Sequence, residues 1–145
     1  MFKKILVATD GSEHGFNAAR VALELGKISG GGVTALYVAD TSRTAHLPDD
    51  MLLLSIRELL LKEGKEALAQ VQVIAEEMAV PYEGVVVEGN PGSEIIRFAE
   101  EKGMDIIIMG MVGRTGIEKF LLGSVAEKVV RSSRIPVMII PRGQT

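Results

Sequence analysis

Five short apolar runs alternate with four segments of helical periodicity along 145 residues. That alternation constrains the fold more than any other feature of the chain. Runs such as Ile5-Leu6-Val7-Ala8 and Ile106-Ile107-Ile108-Met109 offer no polar face, so they suit strands covered on both sides. Strands that alternate with helices in this way build a parallel sheet with helices on both faces. Right-handed crossovers leave few topologies. The expected one is a single α/β, Rossmann-like domain over residues 1–145, with a five-stranded parallel sheet in the order 3-2-1-4-5.

In chain order, the first strand is expected over 4–9, closing at Asp10-Gly11-Ser12. Ser12 then caps a helix over 13–28 that turns Phe16, Ala19, Leu23 and Ile28 inward. Gly30-Gly31-Gly32 stops it, and Val33–Ala39 forms the second strand. After a polar loop over 40–48, Asp49 or Asp50 caps a long helix reaching about Ala79, with Ile56, Leu60, Leu68, Val71, Ala75 and Met78 on one face. Its first turns, Met51–Leu54 and Leu59–Leu61, are apolar nearly all round, which implies extra burial against a partner subunit or under a local loop. A third strand follows from Tyr82 to Val87. Ser93 is expected to cap a short helix carrying Ile95, Ile96, Phe98 and Ala99 and ending at Gly103. The fourth strand is Asp105–Met109, the last helix runs from Ser124 to about Ser133, and the fifth strand is Ile135–Ile140.

Composition narrows the class. With 47% apolar and 24% charged residues the chain can build a packed core, and with 4% aromatics and no Trp that core must be aliphatic. The formal net charge of −3 argues against a nucleic-acid partner, which calls for a basic face. Charge is uneven, however: residues 111–145 hold six Lys/Arg against two acids, so the last segment is basic and the rest acidic. The absence of Cys excludes disulfides and thiolate metal sites. The first apolar run is too short for a signal peptide and no run is long enough to span a bilayer. A soluble, cytoplasmic protein with no membrane partner is expected.

The chemistry concentrates after the fourth strand. Gly110, Gly113, Gly123 and Ser124 form the pattern G-x2-G-x9-G-S between a buried strand and a helix. Glycines admit a ligand close to backbone amides, and a helix N-terminus adds unpaired N–H groups and partial positive charge, so the assembly suits a phosphate. Neither a Walker A loop nor G-x-G-x-x-G after the first strand is present. In the expected topology the chain reverses direction between strands 1 and 4, and ligands of open α/β sheets bind outside the strand ends at such a point. Thr9-Asp10 and Met109-Gly110 would then be neighbours. Asp10, an acceptor only, could receive ribose hydroxyls, help hold a hydrated Mg2+, or cap the first helix in competition with Ser12. Thr9 and the backbone of Val38 would lie where a base could dock, unless Val38 is plain core. Arg114, Thr115 and Lys119 are read as solvated surface groups, with contact to a distal phosphate as the alternative, His14 and His46 as surface residues, and the methionines as core filler.

These residues resemble the universal stress protein family in its nucleotide-binding branch. The likeness runs from Lys3 to Pro141 and rests on Ile5-Leu6-Val7-Ala8-Thr9-Asp10-Gly11-Ser12, on the full G-x2-G-x9-G-S set, and on Val125-Ala126-Glu127-Lys128-Val129 and Pro136-Val137. The resemblance implies bound ATP or another adenine nucleotide. Asp10 would face ribose or the metal-phosphate region with Thr9 beside it. Val38 would meet adenine through its backbone, and Met109 would line the pocket. Gly110 would lie near ribose, and Gly113, Gly123, Ser124 and Val125 near the phosphates, with Mg2+ held through them. It also implies a homodimer paired through the last strand, Val137–Ile140, and an ATP-binding regulatory role in the stress response. Met111 and Val112 depart from the family pattern, in which a small hydroxyl residue and a His or Arg often stand there. The alternatives are a slow ATP hydrolase or phosphoryl-transfer enzyme, for which Asp10 is the one candidate base, and a dimeric scaffold that binds no nucleotide.

Overall fold

A computed structural model describes residues 1–42, 50–112 and 122–141. Nine elements follow in the order β1 (Lys4–Ala8), α1 (Glu13–Ser29), β2 (Gly32–Ala39), α2 (Asp50–Met78), β3 (Tyr82–Glu88), α3 (Pro91–Glu101), β4 (Ile106–Gly110), α4 (Ser124–Ser132) and β5 (Val137–Ile140). The strands form one parallel sheet in the expected order, β3-β2-β1-β4-β5.

Two aliphatic cores sandwich the sheet. Ile5, Val7, Val33, Ala35, Ile106 and Ile108 face α1 and α2, against Ala18, Ala22, Leu23, Leu68, Val71 and Ala75. Leu6, Leu36, Ile107 and Met109 face α3 and α4, against Ile95, Ala99, Ala126 and Val129. The period-2 alternation of β1 and β4 therefore fills both layers, which is why no polar position interrupts Ile5–Ala8 or Ile106–Met109. Among the described residues Tyr37 is the aromatic one buried in the core. It fits because position 64 of α2 is glycine, where a β-carbon would come within 2.6 Å of Tyr37 Cδ1.

Two local expectations are corrected. The cap of α3 is Asn90, whose side chain accepts from the Ser93 backbone N–H, with Pro91 as the first helical residue; Ser93 lies inside the helix. A proline fits there because its missing N–H would have had no helical partner. Gly103 ends the same helix as expected: it follows the Lys102 cap with a left-handed φ of 63°, and its N–H donates to Glu100 O at 3.2 Å. Ile28 is 84% exposed rather than inward. In the last turn of α1 the inner position belongs to Gly26, packed under Val80 and Val33, and two residues on is about 200° around the axis.

Of the apolar opening of α2, Met51, Leu52, Leu54 and Leu59 stay exposed while Ile56 and Leu60 are partly buried. A bidentate pair ties this half of the helix to the sheet: Arg57 Nε and Nη2 donate to Glu88 Oε1 and Oε2 at 2.6 and 2.9 Å. That hydrogen bonding holds the Glu88 carboxyl below its ordinary range and raises Arg57 above its own. No helix among the described residues is long and apolar enough to cross a membrane.

Candidate functional site

β1 pairs with β2 on one side and β4 on the other, with Val7 opposite Ala35 and Ile108. The chain leaves β1 toward α1 on one face and leaves β4 toward α4 on the other. Backbone groups beyond these two strand ends have no sheet neighbour between them, and a cleft of about 440 Å3 opens there. Ligand pockets commonly measure about 300–1,000 Å3.

The β1 end supplies Ala8, Thr9 and Asp10 to the lining. Thr9 is buried; its N–H donates to Leu36 O at 3.0 Å, which carries the β1–β2 ladder one residue beyond the strand. Ser12, not Asp10, caps α1: its hydroxyl oxygen accepts from the Gly15 N–H. Asp10 braces that cap, its Oδ1 accepting from the Ser12 N–H at 2.9 Å and from the Ser12 hydroxyl. The carboxylate is thus fixed at the cleft rim by the turn that starts α1.

The β4 end supplies Met109, Gly110, Met111 and Val112. Gly110 meets the first turn of α1, where a β-carbon would lie 3.3 Å from His14 O and 3.4 Å from His14 Cβ. Its lack of a side chain therefore lets α1 seat against β4 as well as opening the cleft. His14, expected on the surface, is half-buried by the same approach. Met111 N donates to Ile140 O, and Gly123 N donates to Met111 O at 2.9 Å. That second bond brings the start of α4 back beside the end of β4, across an excursion of eleven residues. Gly113, and with it Arg114, Thr115 and Lys119, lies in that excursion outside the described residues, as does His46 in its own loop.

Gly123, Ser124, Val125 and Ala126 complete this wall. α1 and α3 carry side-chain caps, whereas the N-cap of α4 is Gly123 and makes no side-chain bond to the helix. The first amides of α4 have no helical acceptor and open on the cleft with the positive end of the helix dipole. The amide of Gly123 itself is used, so the donors available to a ligand begin at Ser124.

Val38 lines the opposite end of the cleft with Leu36, Tyr37 and Asp40 from β2 and Ile56 and Leu60 from α2. It is partly exposed and belongs to the layer under α3 and α4. Thr9, Asp10, Val38, Met109, Gly110, Gly123, Ser124 and Val125 therefore surround one cavity. Sequence reasoning missed Gly15, Pro91, Ile95, Asp40, Ile56 and Leu60, which also line it. Asp40 had a legible signal: Asp40-Thr41-Ser42 repeats at the end of β2 the Asp10-Gly11-Ser12 spacing at the end of β1. Among the described residues no group of three or more His, Cys, Asp or Glu could hold a metal ion.

Comparisons with known proteins agree with this architecture. The solved structure of hypothetical protein MJ0577, from Methanocaldococcus jannaschii, superposes with a TM-score of 0.86 at 28% identity, covering 100% of both chains. A universal stress protein from Archaeoglobus fulgidus, solved in complex with dAMP, shares the fold with a TM-score of 0.70 at 24% identity, over 97% of this chain and 99% of that one. Universal stress protein MJ0531 of M. jannaschii is 42% identical over 142 residues, 98% of this chain and 84% of that protein. The family model described as the universal stress protein family matches residues 1–141. A five-stranded sheet in this order, a relative of that identity and a family match over nearly its whole length together establish that the chain belongs to the universal stress protein family.

Proposed function

We propose that the chain binds ATP, or a close adenine nucleotide, in the cleft between β1 and β4, and that it acts as a dimeric regulatory module of the stress response whose output depends on occupancy. The observation that carries this reading is the uncapped first turn of α4 opening on the same cavity as Gly110 and Asp10. A helix that leaves its N-terminal amides without side-chain partners, beside a glycine strand end, is suited to a phosphate. In this reading Ser124 and Val125 receive phosphate oxygens, Gly123 keeps that approach open, and Gly110 and Asp10 lie at the ribose. Thr9, Met109 and the backbone of Val38 flank the base. Gly113 would add a phosphate contact from its loop. In this reading Mg2+ enters on the phosphates, as it commonly does with one or two carboxylates nearby, and Asp10 is the carboxylate this chain would offer it.

Occupancy rather than turnover is the output because Asp10 is engaged in bracing the Ser12 cap, an employment that suits a positioning group better than a general base. The dimer forms through β5, an edge strand paired only with β4 among the described strands, whose Met138 is 37% exposed. An apolar edge of this kind is a template for strand pairing. The test is to release and identify the small molecule that co-purifies with the chain and to measure thermal shifts with ATP and Mg2+. An adenine nucleotide together with a saturable rise in melting temperature is expected; no nucleotide and no shift would reject the reading.

A further inference from the structure

The two ends of the cleft differ in chemistry. Over β4, Gly110 and the uncapped turn of α4 offer amides. Over β2 the walls are apolar, with Val38 from the strand and Ile56 and Leu60 from α2, and Asp40 stands at the rim among them. β2 and β4 flank β1, so the two ends lie two strand spacings apart, roughly 10 Å. Phosphates belong at the amide end and Asp10 over β1 lies between, which leaves the apolar end for the base.

Asp40 is held in place there. Its Oδ1 accepts from the Ser42 N–H at 3.2 Å and from the Ser42 hydroxyl. The residue before it is fixed as well, because Ala39 O accepts from Thr41 N and from Gly89 N at 2.9 and 3.1 Å.

We infer that Asp40 selects the base, receiving the exocyclic amine of a 6-aminopurine and rejecting a 6-oxopurine. The inference rests on the nucleotide reading of the cleft. A carboxylate accepts hydrogen bonds and donates none. An amine in the 6-position meets it with a donor, whereas a carbonyl sets acceptor against acceptor in a partly desolvated place. A site built around one hydrogen bond rejects the analogue that lacks it far more strongly than an apolar pocket rejects a similar shape.

ATP and inosine triphosphate differ at this edge of the purine, and calorimetric titration of each with Mg2+ on wild type and on Asp40→Asn tests the assignment. Wild type is expected to favour ATP by about tenfold, the scale of one hydrogen bond to a charged group. Asp40→Asn, whose amide both donates and accepts, should bring the two within about threefold. Equal affinities in wild type, a comparison that requires no variant to fold, would overturn the assignment, as would an unchanged ratio in the variant. Failure of both nucleotides to bind wild type would overturn the nucleotide reading itself, and the inference with it; a base-blind site is recognised by tight binding of both.

Discussion

Gly15, in the first turn of α1, stands so close to Thr9 that a β-carbon at position 15 would lie 2.6 Å from Thr9 Oγ1, and 3.1 Å from Asp10 Oδ1. The floor of the cleft and the start of α1 are therefore one packed unit. Glycine to alanine in a helix ordinarily gains about 0.5–1 kcal/mol. Here Gly15→Ala should instead destabilise the protein by roughly 1–3 kcal/mol, as overpacking does, and displace Thr9 and Asp10. Urea denaturation decides the sign: a variant as stable as wild type would show that the approach relaxes without consequence.

Ser124→Asp should separate stability from binding. Ser124 is exposed at the first position of α4, whose N-terminus has no side-chain cap. A carboxylate there complements the helix dipole and should stabilise the nucleotide-free protein by about 0.3–1 kcal/mol. The same charge would oppose a phosphate, so affinity for ATP should fall by at least about tenfold. Thermal melts without ligand and titrations with it are compared; unchanged affinity would remove the phosphate from this turn.

Burial pushes the Tyr82 phenol up to about 12, and its hydroxyl donates to Leu68 O at 2.8 Å. The folded state thus favours the neutral phenol more than the unfolded chain does, whose phenol titrates near 10. The associated stability is fully present below pH 10 and is lost as pH rises through the folded value. Ultraviolet titration of a Tyr37→Phe variant, which leaves Tyr82 as the remaining phenol, should give a midpoint near 12 while the protein stays folded. A midpoint near 10 in folded protein would contradict the burial of this group.

Met138→Lys should weaken the proposed dimer. Lysine on an edge strand is a common barrier to pairing, and Met138 is partly exposed on β5. Sedimentation velocity should show wild type as a dimer and the variant shifted toward monomer with an unchanged far-ultraviolet spectrum. A wild-type monomer at working concentrations, or a variant dimer of the same strength, would place the interface elsewhere or nowhere.

What was legible in the sequence follows from the range of the forces involved. β1 and β4 are buried on both faces, so Ile5–Val7 and Ile106–Ile108 announce themselves as unbroken apolar runs, and alternation with helices gives the strand order. Proximity of Asp10 to Gly110 followed from that order alone. The cap at Ser12 was legible even with Asp10 as its rival, whereas the cap of α3 was misjudged: Asn90 precedes Pro91, a pairing that marks a helix start three residues before Ser93. Gly15, Gly26 and Gly64 were not legible as packing residues, because the atoms that require them, in Thr9, Val80 and Tyr37, come from other segments. Ile56 and Leu60 were read as one face of a helix, and only the placement of α2 beside β2 shows that this face also walls the cleft. Gly113 remains an expectation, since it lies outside the described residues.

Calorimetric titration of the full chain with ATP in the presence of Mg2+ tests the central claim most directly. The account predicts saturable heat with one nucleotide bound per chain, reduced by Ser124→Asp. No heat and no competition with any co-purifying adenine nucleotide would contradict it.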